Sequence, residues 1–251
     1  MSRQVGLVAA IRFLTIVPLF ARREMGTEEL GRSLVFFPVV GLLIGGLLYG
    51  LDLLFALFLP PALGSALVVL ALVVITGAHH LDGLVDTCDA MAAGRSRQER
   101  LDIMRDSHAG GFGVVGAVLG ILIKYVALLV LPGGVRMAAI ILMPALGRWA
   151  MVWAISAYPY ARESGMGRAF KEGATWWRAA LATLIALVAA MGLLWPRGAV
   201  LVAAALLIVM ALCAFFKGRF GGLTGDTYGA VNELSEISVL ILVPVIAGGY
   251  L

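Results

Sequence analysis

The residues best suited to chemistry lie in one acidic segment, where Asp82, Asp86 and Asp89 follow an i, i+4, i+7 spacing. On a helix these positions share one face, so the three anions would repel one another unless a cation lay between them. Mg²⁺ takes oxygen ligands and is usually held by a few carboxylates together with substrate phosphates. No Lys or Arg lies within residues 77–89. The segment therefore predicts a Mg²⁺ site, and the alternative is a solvated acidic helix face.

A second segment joins Arg105, Asp106 and Ser107 to a glycine-rich turn that precedes an apolar run. Glycines allow close approach of the backbone to a phosphate, and helix N-termini attract anions. The turn lacks the Lys-Ser/Thr ending of a P-loop. We expect it to contact a phosphate, although a glycine-rich start of a membrane helix can also serve packing alone.

The third polar segment contains Asp226, Glu233 and Glu236. These carboxylates could supply a second metal ion or position a nucleophilic hydroxyl. The rival interpretation, in which Thr224 or Asp226 caps the last helix, can hold at the same time. His80 adjoins the acidic segment, and we expect it to orient a carboxylate or a phosphate.

Lys124 and Arg148 lie inside apolar runs, where a charge costs at least about 2.5 kcal/mol on insertion scales. Arg148 is close enough to the end of its run to extend toward water, whereas Lys124 is not. We expect both side chains to face a polar cavity and to pair with carboxylates or with substrate phosphate.

The composition predicts that these residues are held by a membrane-embedded helical bundle. Of 251 residues, 61% are hydrophobic and 14% are charged, against roughly 25% charged residues in a soluble domain. A helix needs about 20 apolar residues to cross a bilayer. Six runs with at most one charge meet or approach that length: 33–51, 62–78, 111–131, 137–156, 179–195 and 199–216. A C-terminal run over 237–251 can also cross if its helix begins near Val231.

The predicted fold is therefore all-α, a polytopic bundle of six to seven spanning helices forming one domain over residues 1–251. Residues 5–20 either span or lie along the interface, and the sequence leaves both open. The formal charge of +4 does not indicate nucleic-acid binding. Cys88 and Cys213 form no metal-binding or disulfide pattern.

The connections between the runs fall into two sets. Tight Pro- and Gly-containing turns alternate with long polar loops over 21–32, 79–110, 157–178 and 217–235. These loops hold 13 of the 19 Lys and Arg residues and, with their edges, 14 of the 15 Asp and Glu residues; Asp52 is the exception. Basic loops favour the cytoplasmic side. We expect the chemistry to face the cytoplasm from an inner membrane.

Four segments together resemble the cobalamin synthase family of adenosylcobinamide-GDP ribazoletransferases. Residues 80–89 are similar to that family's HLDGLADTxDG motif, and residues 103–113 to its IMKDSxxGxxG stretch. Residues 147–149 and 222–230 resemble later motifs in the expected order. The departures are Val85 for Ala, Arg105 for Lys and Ala90 for Gly.

The resemblance implies a Mg²⁺-dependent phosphotransferase of vitamin B12 biosynthesis. It would join adenosylcobinamide-GDP to α-ribazole, or to α-ribazole 5′-phosphate, and release GMP. In that chemistry Asp82, Asp86 and Asp89 hold the metal, Arg105, Lys124 or Arg148 adds positive charge, and Asp106 or Asp89 accepts the hydroxyl proton. Self-association, or association with other enzymes of the corrinoid pathway, is left open.

Two other classes of membrane protein stay open at this point. CDP-alcohol phosphotransferases and aromatic prenyltransferases also hold a diphosphate and Mg²⁺ with Asp clusters, but their signatures are incomplete here. A transporter would carry its charges near the midplane, often in related halves. The crowding of carboxylates on one face favours the ribazoletransferase.

Overall fold

The computed structural model describes residues 2–18, 25–106 and 108–248. Within these ranges the chain is folded into α-helices without a named strand, which confirms the all-α prediction. A single isolated bridge pairs Tyr160 with Leu223. The helices are α1 (Ser2–Leu14), α2 (Thr27–Ser33), α3 (Phe37–Ala56), α4 (Pro61–Thr76), α5 (His79–Ala93), α6 (Arg97–Ile103), α7 (Gly111–Val130), α8 (Gly133–Ala157), α9 (Met166–Gly173), α10 (Trp176–Leu193), α11 (Gly198–Phe220) and α12 (Gly225–Ala247).

Six segments in the described part of the chain are long and apolar enough to cross a membrane, and a seventh results if α4 and α5 are counted as one bent span. Five are single helices, α7, α8, α10, α11 and α12. The sixth runs over Thr27–Ala56 and joins α2 to α3 through a 3₁₀ turn. The chain is thus a multi-pass membrane protein with the predicted number of spans. Helix α1 has 13 residues, which is shorter than a crossing requires.

The chain bends by 92° between α4 and α5. Helix α4 ends in two consecutive left-handed residues, Gly77 with φ 61° and Ala78 with φ 58°. The Ala78 amide donates to the Val73 carbonyl and the Gly77 amide to the Val74 carbonyl, which is the Schellman arrangement that ends helices. Helix α5 therefore turns away from the direction of α4.

Helix α8 is the centre of the bundle and is buried along most of its length. Helices α3, α10, α11 and α12 all pack against it. Two glycines of α3 permit the closest approach, because a Cβ atom at Gly45 would lie 2.5 Å from the Ile141 carbonyl oxygen, and one at Gly41 would overlap the Pro144 carbonyl. Helix α7, in contrast, exposes most of its apolar side chains at the periphery.

The bundle has two chemically different ends, which we call the loop end and the turn end. At the turn end, Arg136 donates to both carboxylate oxygens of Asp52, at 2.6 and 2.8 Å. The loop end joins α5, α6 and the starts of α7 and α12, for example through an ion pair of 2.7 Å between Arg162 and Asp226. The residues of the predicted long loops thus meet at one end.

The close contact between α3 and α8 predicts that Gly45→Ala lowers stability. The added methyl group would press on the backbone of Ile141, and overpacking of this kind costs about 1–3 kcal/mol. We expect thermal unfolding of the detergent-solubilised protein to begin several degrees lower. The matched control is Gly46→Ala on the same helix, where a Cβ atom meets nothing within 4 Å; an equal loss in both variants would contradict the packing argument.

Candidate active site

Three carboxylates, those of Asp82, Asp86 and Asp226, form the acidic cluster of the loop end. Asp82 and Asp86 lie one helical turn apart on α5, and Asp226 lies in the first turn of α12. Glycine permits the two helices to approach backbone to backbone, since a Cβ atom at Gly83 would lie 2.6 Å from the Asp226 carbonyl oxygen. On the other helix, a Cβ atom at Gly229 would lie 3.0 Å from the His80 carbonyl oxygen.

The acidic cluster is short of positive charge. Neither Asp82 nor Asp86 forms a side-chain hydrogen bond or ion pair with the rest of the described chain. Burial, followed by the charges of Asp226 and Asp82, raises the pKa of Asp86 to about 7, and the guanidinium of Arg162 opposes this shift. Ionising Asp86 is unfavourable because burial removes water from its charge and, to a lesser extent, because neighbouring anions repel it. A cation bound between these side chains would relieve that repulsion.

Asp89 faces away from the acidic cluster and caps the start of α7. Its carboxylate oxygens accept hydrogen bonds from the Gly110 amide at 2.7 Å and the Gly113 amide at 2.8 Å. An anion at a helix N-terminus satisfies unpaired amides and complements the helix dipole. The three carboxylates of the predicted stripe thus have different surroundings in the structure, and the metal role of all three stays a prediction.

The acidic cluster offers the ligand chemistry that Mg²⁺ requires. In the described ranges no three His, Cys, Asp or Glu side chains already stand in a geometry that would hold a metal ion by themselves. Mg²⁺ rarely uses such a cage and is bound by one or two carboxylates, waters and substrate phosphates. Asp82 and Asp86 supply hard oxygen donors, are not engaged by other side chains, and fit this mode of binding.

The segment after α6 lies at the surface of the loop end. Arg105 is 3.7 Å from Asp102, and both side chains are more than half exposed. Asp106 accepts a hydrogen bond of 2.7 Å from His108, which holds the pKa of this exposed carboxyl below its usual range. Ser107 lies outside the described residues. The proposed roles of all three residues stay predictions.

Lys124, Arg148, Glu233 and Glu236 form a buried charge network inside the bundle, where two cations face two carboxylates. Lys124 of α7 donates to Glu233 at 2.6 Å and also to Glu236, both on α12. Arg148 of α8 donates to the other oxygen of Glu236. All four side chains are at least 90% buried. Of the two predicted alternatives, pairing with carboxylates is the one present here.

Two buried side chains beside this network, His80 and Asn232, have incomplete hydrogen bonding. The Asn232 amide donates to Glu236 at 3.2 Å, and its Oδ1 atom is buried without a partner in the described chain. His80 is 4% exposed, and its Nδ1 atom likewise has no described partner.

A cleft of about 590 Å³ opens at the loop end, and we call it the basic cleft. Three arginines line it: Arg97, Arg105 and Arg162. Arg162 also pairs with Asp226, so the basic cleft adjoins the acidic cluster. Sequence reasoning identified Arg105 but missed the other two arginines, because each is one of four cations in its polar loop and no spacing distinguishes it.

The profile of the cobalamin-5-phosphate synthase family matches residues 6–244. The chain belongs to this family. It is 39% identical over 241 residues to an adenosylcobinamide-GDP ribazoletransferase of Geotalea daltonii, an alignment covering 96% of this chain and 97% of the relative. The corresponding protein of Desulforamulus reducens is 37% identical, with 95% of each chain covered. That of Pseudomonas syringae pv. syringae is 39% identical, covering 92% of this chain and 96% of the relative. No solved structure matches the chain.

In this cobalamin-5-phosphate synthase family member, the segments that carry the resemblance meet in space. Residues 80–89 form most of α5, residues 103–113 lead into α7, and residues 222–230 begin α12. Asp89 joins the first segment to the second, and Gly83 packs the first against the third. Gly147 brings α8 against α12, since a Cβ atom there would lie 2.8 Å from both Asn232 Oδ1 and Glu236 Cγ.

The buried charge network predicts that Glu236→Gln is strongly destabilising. The variant leaves Lys124 and Arg148 with only one carboxylate, that of Glu233, in a nearly water-free interior. Removing one partner of a buried pair costs about 3–5 kcal/mol. Unfolding of the purified protein in mixed detergent micelles would measure the loss.

Two further variants separate this effect from a general sensitivity to substitution. Glu172→Gln makes the same chemical change at an exposed ion pair with Arg168, and we expect a change of less than about 1 kcal/mol. The double variant Lys124→Met/Glu236→Gln restores neutrality, so it should lose less stability than the sum of its two single variants. Additive losses would contradict electrostatic compensation.

Proposed function

We propose that this chain is an adenosylcobinamide-GDP ribazoletransferase whose reaction takes place at the acidic cluster. The observation that carries the proposal is that two carboxylates on α5, Asp82 and Asp86, lack a cationic partner and lie close to Asp226 of α12 and to an arginine-lined cleft. That combination suits a diphosphate held between a divalent cation and guanidinium groups. The relatives named for this activity match nearly the whole chain.

The proposed reaction is one displacement at phosphorus. A ribose hydroxyl of α-ribazole, one that is also free in the 5′-phosphate form, attacks the phosphate that is attached to cobinamide. A new P–O bond forms, the P–O bond to the GMP portion breaks, and the bridging oxygen leaves with GMP. The hydroxyl proton passes to a base. The products are adenosylcobalamin, or its 5′-phosphate, and GMP.

Asp82 and Asp86 are the residues we propose to hold Mg²⁺, with Asp226 nearby on α12. When bound, Mg²⁺ supplies positive charge that stabilises the diphosphate and the leaving oxygen. Arg162 donates to Asp226 at 2.7 Å and thereby orients this carboxylate within the acidic cluster. Arg105 lines the adjoining cleft, where its guanidinium can stabilise charge that develops on the phosphate oxygens.

The sequence offers two candidates for the base that accepts the hydroxyl proton, Asp106 and Asp89. The hydrogen bond from His108 lowers the pKa of Asp106, which weakens it as a proton acceptor. Both oxygens of Asp89 accept backbone hydrogen bonds, so this carboxylate is already engaged at the start of α7. Of the two, Asp106 is the residue exposed to solvent at the loop end, and it remains our candidate.

The basic loops favour a cytoplasmic loop end and an inner-membrane location. Corrinoid and nucleotide substrates would then reach the acidic cluster from the cytoplasm. Self-association and association with other enzymes of the corrinoid pathway stay predictions.

The metal assignment predicts that Asp82→Asn and Asp86→Asn abolish transfer without unfolding the protein. Residues that only hydrogen-bond to a metal ligand already contribute about 10–100-fold to activity. Loss of a ligand itself should therefore reduce turnover by more than about 100-fold. The measurement is GMP release from adenosylcobinamide-GDP in the presence of α-ribazole and Mg²⁺. Asp102→Asn, an exposed carboxylate of the same end, is the control that should retain activity; near-normal turnover in Asp82→Asn would remove the assignment.

The raised pKa of Asp86 predicts a pH-dependent requirement for Mg²⁺. Below about pH 7 this carboxyl binds a proton in the free protein, so Mg²⁺ has to displace that proton. The Mg²⁺ concentration giving half-maximal activity should therefore rise as pH falls from 8 to 6, by about tenfold per unit once the pH is below the pKa. Treatment with EDTA should abolish turnover and added Mg²⁺ should restore it. A half-saturating concentration that is constant between pH 6 and 8 would contradict the role of Asp86.

A further inference from the structure

The basic cleft brings three arginine side chains together at one surface. Arg97 lies on α6, Arg105 follows that helix, and Arg162 lies in the connection between α8 and α9. Glu163 is the one carboxylate among the residues lining the cleft. Arg97 makes no ion pair within the described ranges, although it packs closely on the backbone of α11, where a Cβ atom at Gly221 would lie 2.6 Å from Arg97 Nε. Three separate elements thus direct cations to one concave surface.

Arg162 is the member of this set whose hydrogen bonding is incomplete. Its Nη2 atom donates to Asp226 at 2.7 Å and to the Met104 carbonyl at 3.4 Å. Its Nε atom is buried and has no acceptor in the described chain. A buried donor without an acceptor is costly unless a ligand or water completes it. Held in this way by Asp226, the guanidinium lines the cleft and retains hydrogen-bonding capacity for a phosphate oxygen.

The volume of the cleft is in the range of small-molecule sites, which are about 300–1,000 Å³. Arginine binds phosphate oxygens with paired, charge-assisted hydrogen bonds. Through Arg162 and Asp226 the basic cleft adjoins the acidic cluster, so a diphosphate can contact both. One phosphate would lie at the carboxylates and the other at the arginines.

We propose that the basic cleft binds the GMP portion of the nucleotide-activated substrate, with Arg97 and Arg105 contacting its phosphate and Arg162 joining the phosphate to the acidic cluster. The identity of the ligand as a nucleotide rests on the proposed function, whereas its phosphate chemistry rests on the arginines. The cobinamide-linked phosphate then faces Asp82 and Asp86, and GMP leaves into the cleft that already holds it.

Binding of GMP to the full-length protein tests this assignment without any corrinoid. The protein is placed in phosphatidylcholine nanodiscs with EDTA, and its affinities for GMP and for guanosine are measured by calorimetry. We expect GMP to bind at least about tenfold more tightly than guanosine, because a charged hydrogen bond contributes about 1.5–3 kcal/mol and 1.4 kcal/mol is a factor of ten. Equal affinities for GMP and guanosine would overturn the proposal.

The variants Arg97→Ala and Arg105→Ala should each weaken GMP binding about tenfold. Arg105 is more than half exposed, so its replacement leaves the fold intact and keeps the test informative if Arg97→Ala does not fold. The matched control is Lys217→Ala, which removes one exposed positive charge from the last turn of α11 and should leave the affinity unchanged. GMP affinity within twofold of the parent protein for Arg105→Ala would overturn the proposal.

An anionic lipid headgroup offers the same phosphate chemistry from a different source. Nanodiscs containing phosphatidylglycerol separate the two. If retention of this lipid depends on Arg105 and GMP binding does not, the cleft binds the membrane surface and the proposal is overturned. Failure of the proposed function has a different signature, namely arginine-dependent GMP binding by a protein that performs no ribazole transfer.

Discussion

Charges buried in a lipid-facing bundle have to be neutralised by other charges of the same chain, and the rest of this structure depends on that constraint. Lys124 and Arg148 reach Glu233 and Glu236 across three helices, so α7, α8 and α12 have one relative placement that leaves no charge uncompensated. A register shift of one residue would separate at least one ion from its partner. In a medium that cannot solvate the ion, such a shift is expensive, and the network therefore acts as an alignment device as well as a source of cohesion.

The alignment extends to the acidic cluster because α12 is shared. The same helix that carries Glu233 and Glu236 begins at the loop end with Asp226, and it contacts α5 through Gly83 and Gly229. Close backbone packing allows little adjustment, so the distance between the carboxylates of the two helices follows from the position of α12. The bend at Gly77 and Ala78 completes this arrangement, since a straight continuation of α4 would carry α5 away from α12.

Much of this architecture could be predicted because bilayer crossing imposes a length and a polarity on each run. The pairing of residues could not be predicted in the same way. The helical spacing of Asp82, Asp86 and Asp89 places all three on one face, but Asp89 is drawn to the unpaired amides of α7, which only the tertiary structure brings near. Asp226 of α12, rather than Asp89, is the neighbouring anion with the largest effect on Asp86. Arg162 escaped notice because a single cation in a polar loop carries no pattern until the fold directs it to Asp226.

The capping of α7 by Asp89 also limits where substrate phosphate can bind. The glycine-rich turn suggested that the N-terminus of α7 receives a phosphate, yet its Gly110 and Gly113 amides already donate to a carboxylate at 2.7 and 2.8 Å. A second anion at that position would have to overcome the charge of Asp89. Positive charge for a diphosphate must then come from side chains, and in the described part of the loop end the arginines of the basic cleft supply it. The glycines of the turn instead permit α5 and α7 to approach closely enough for the cap to form.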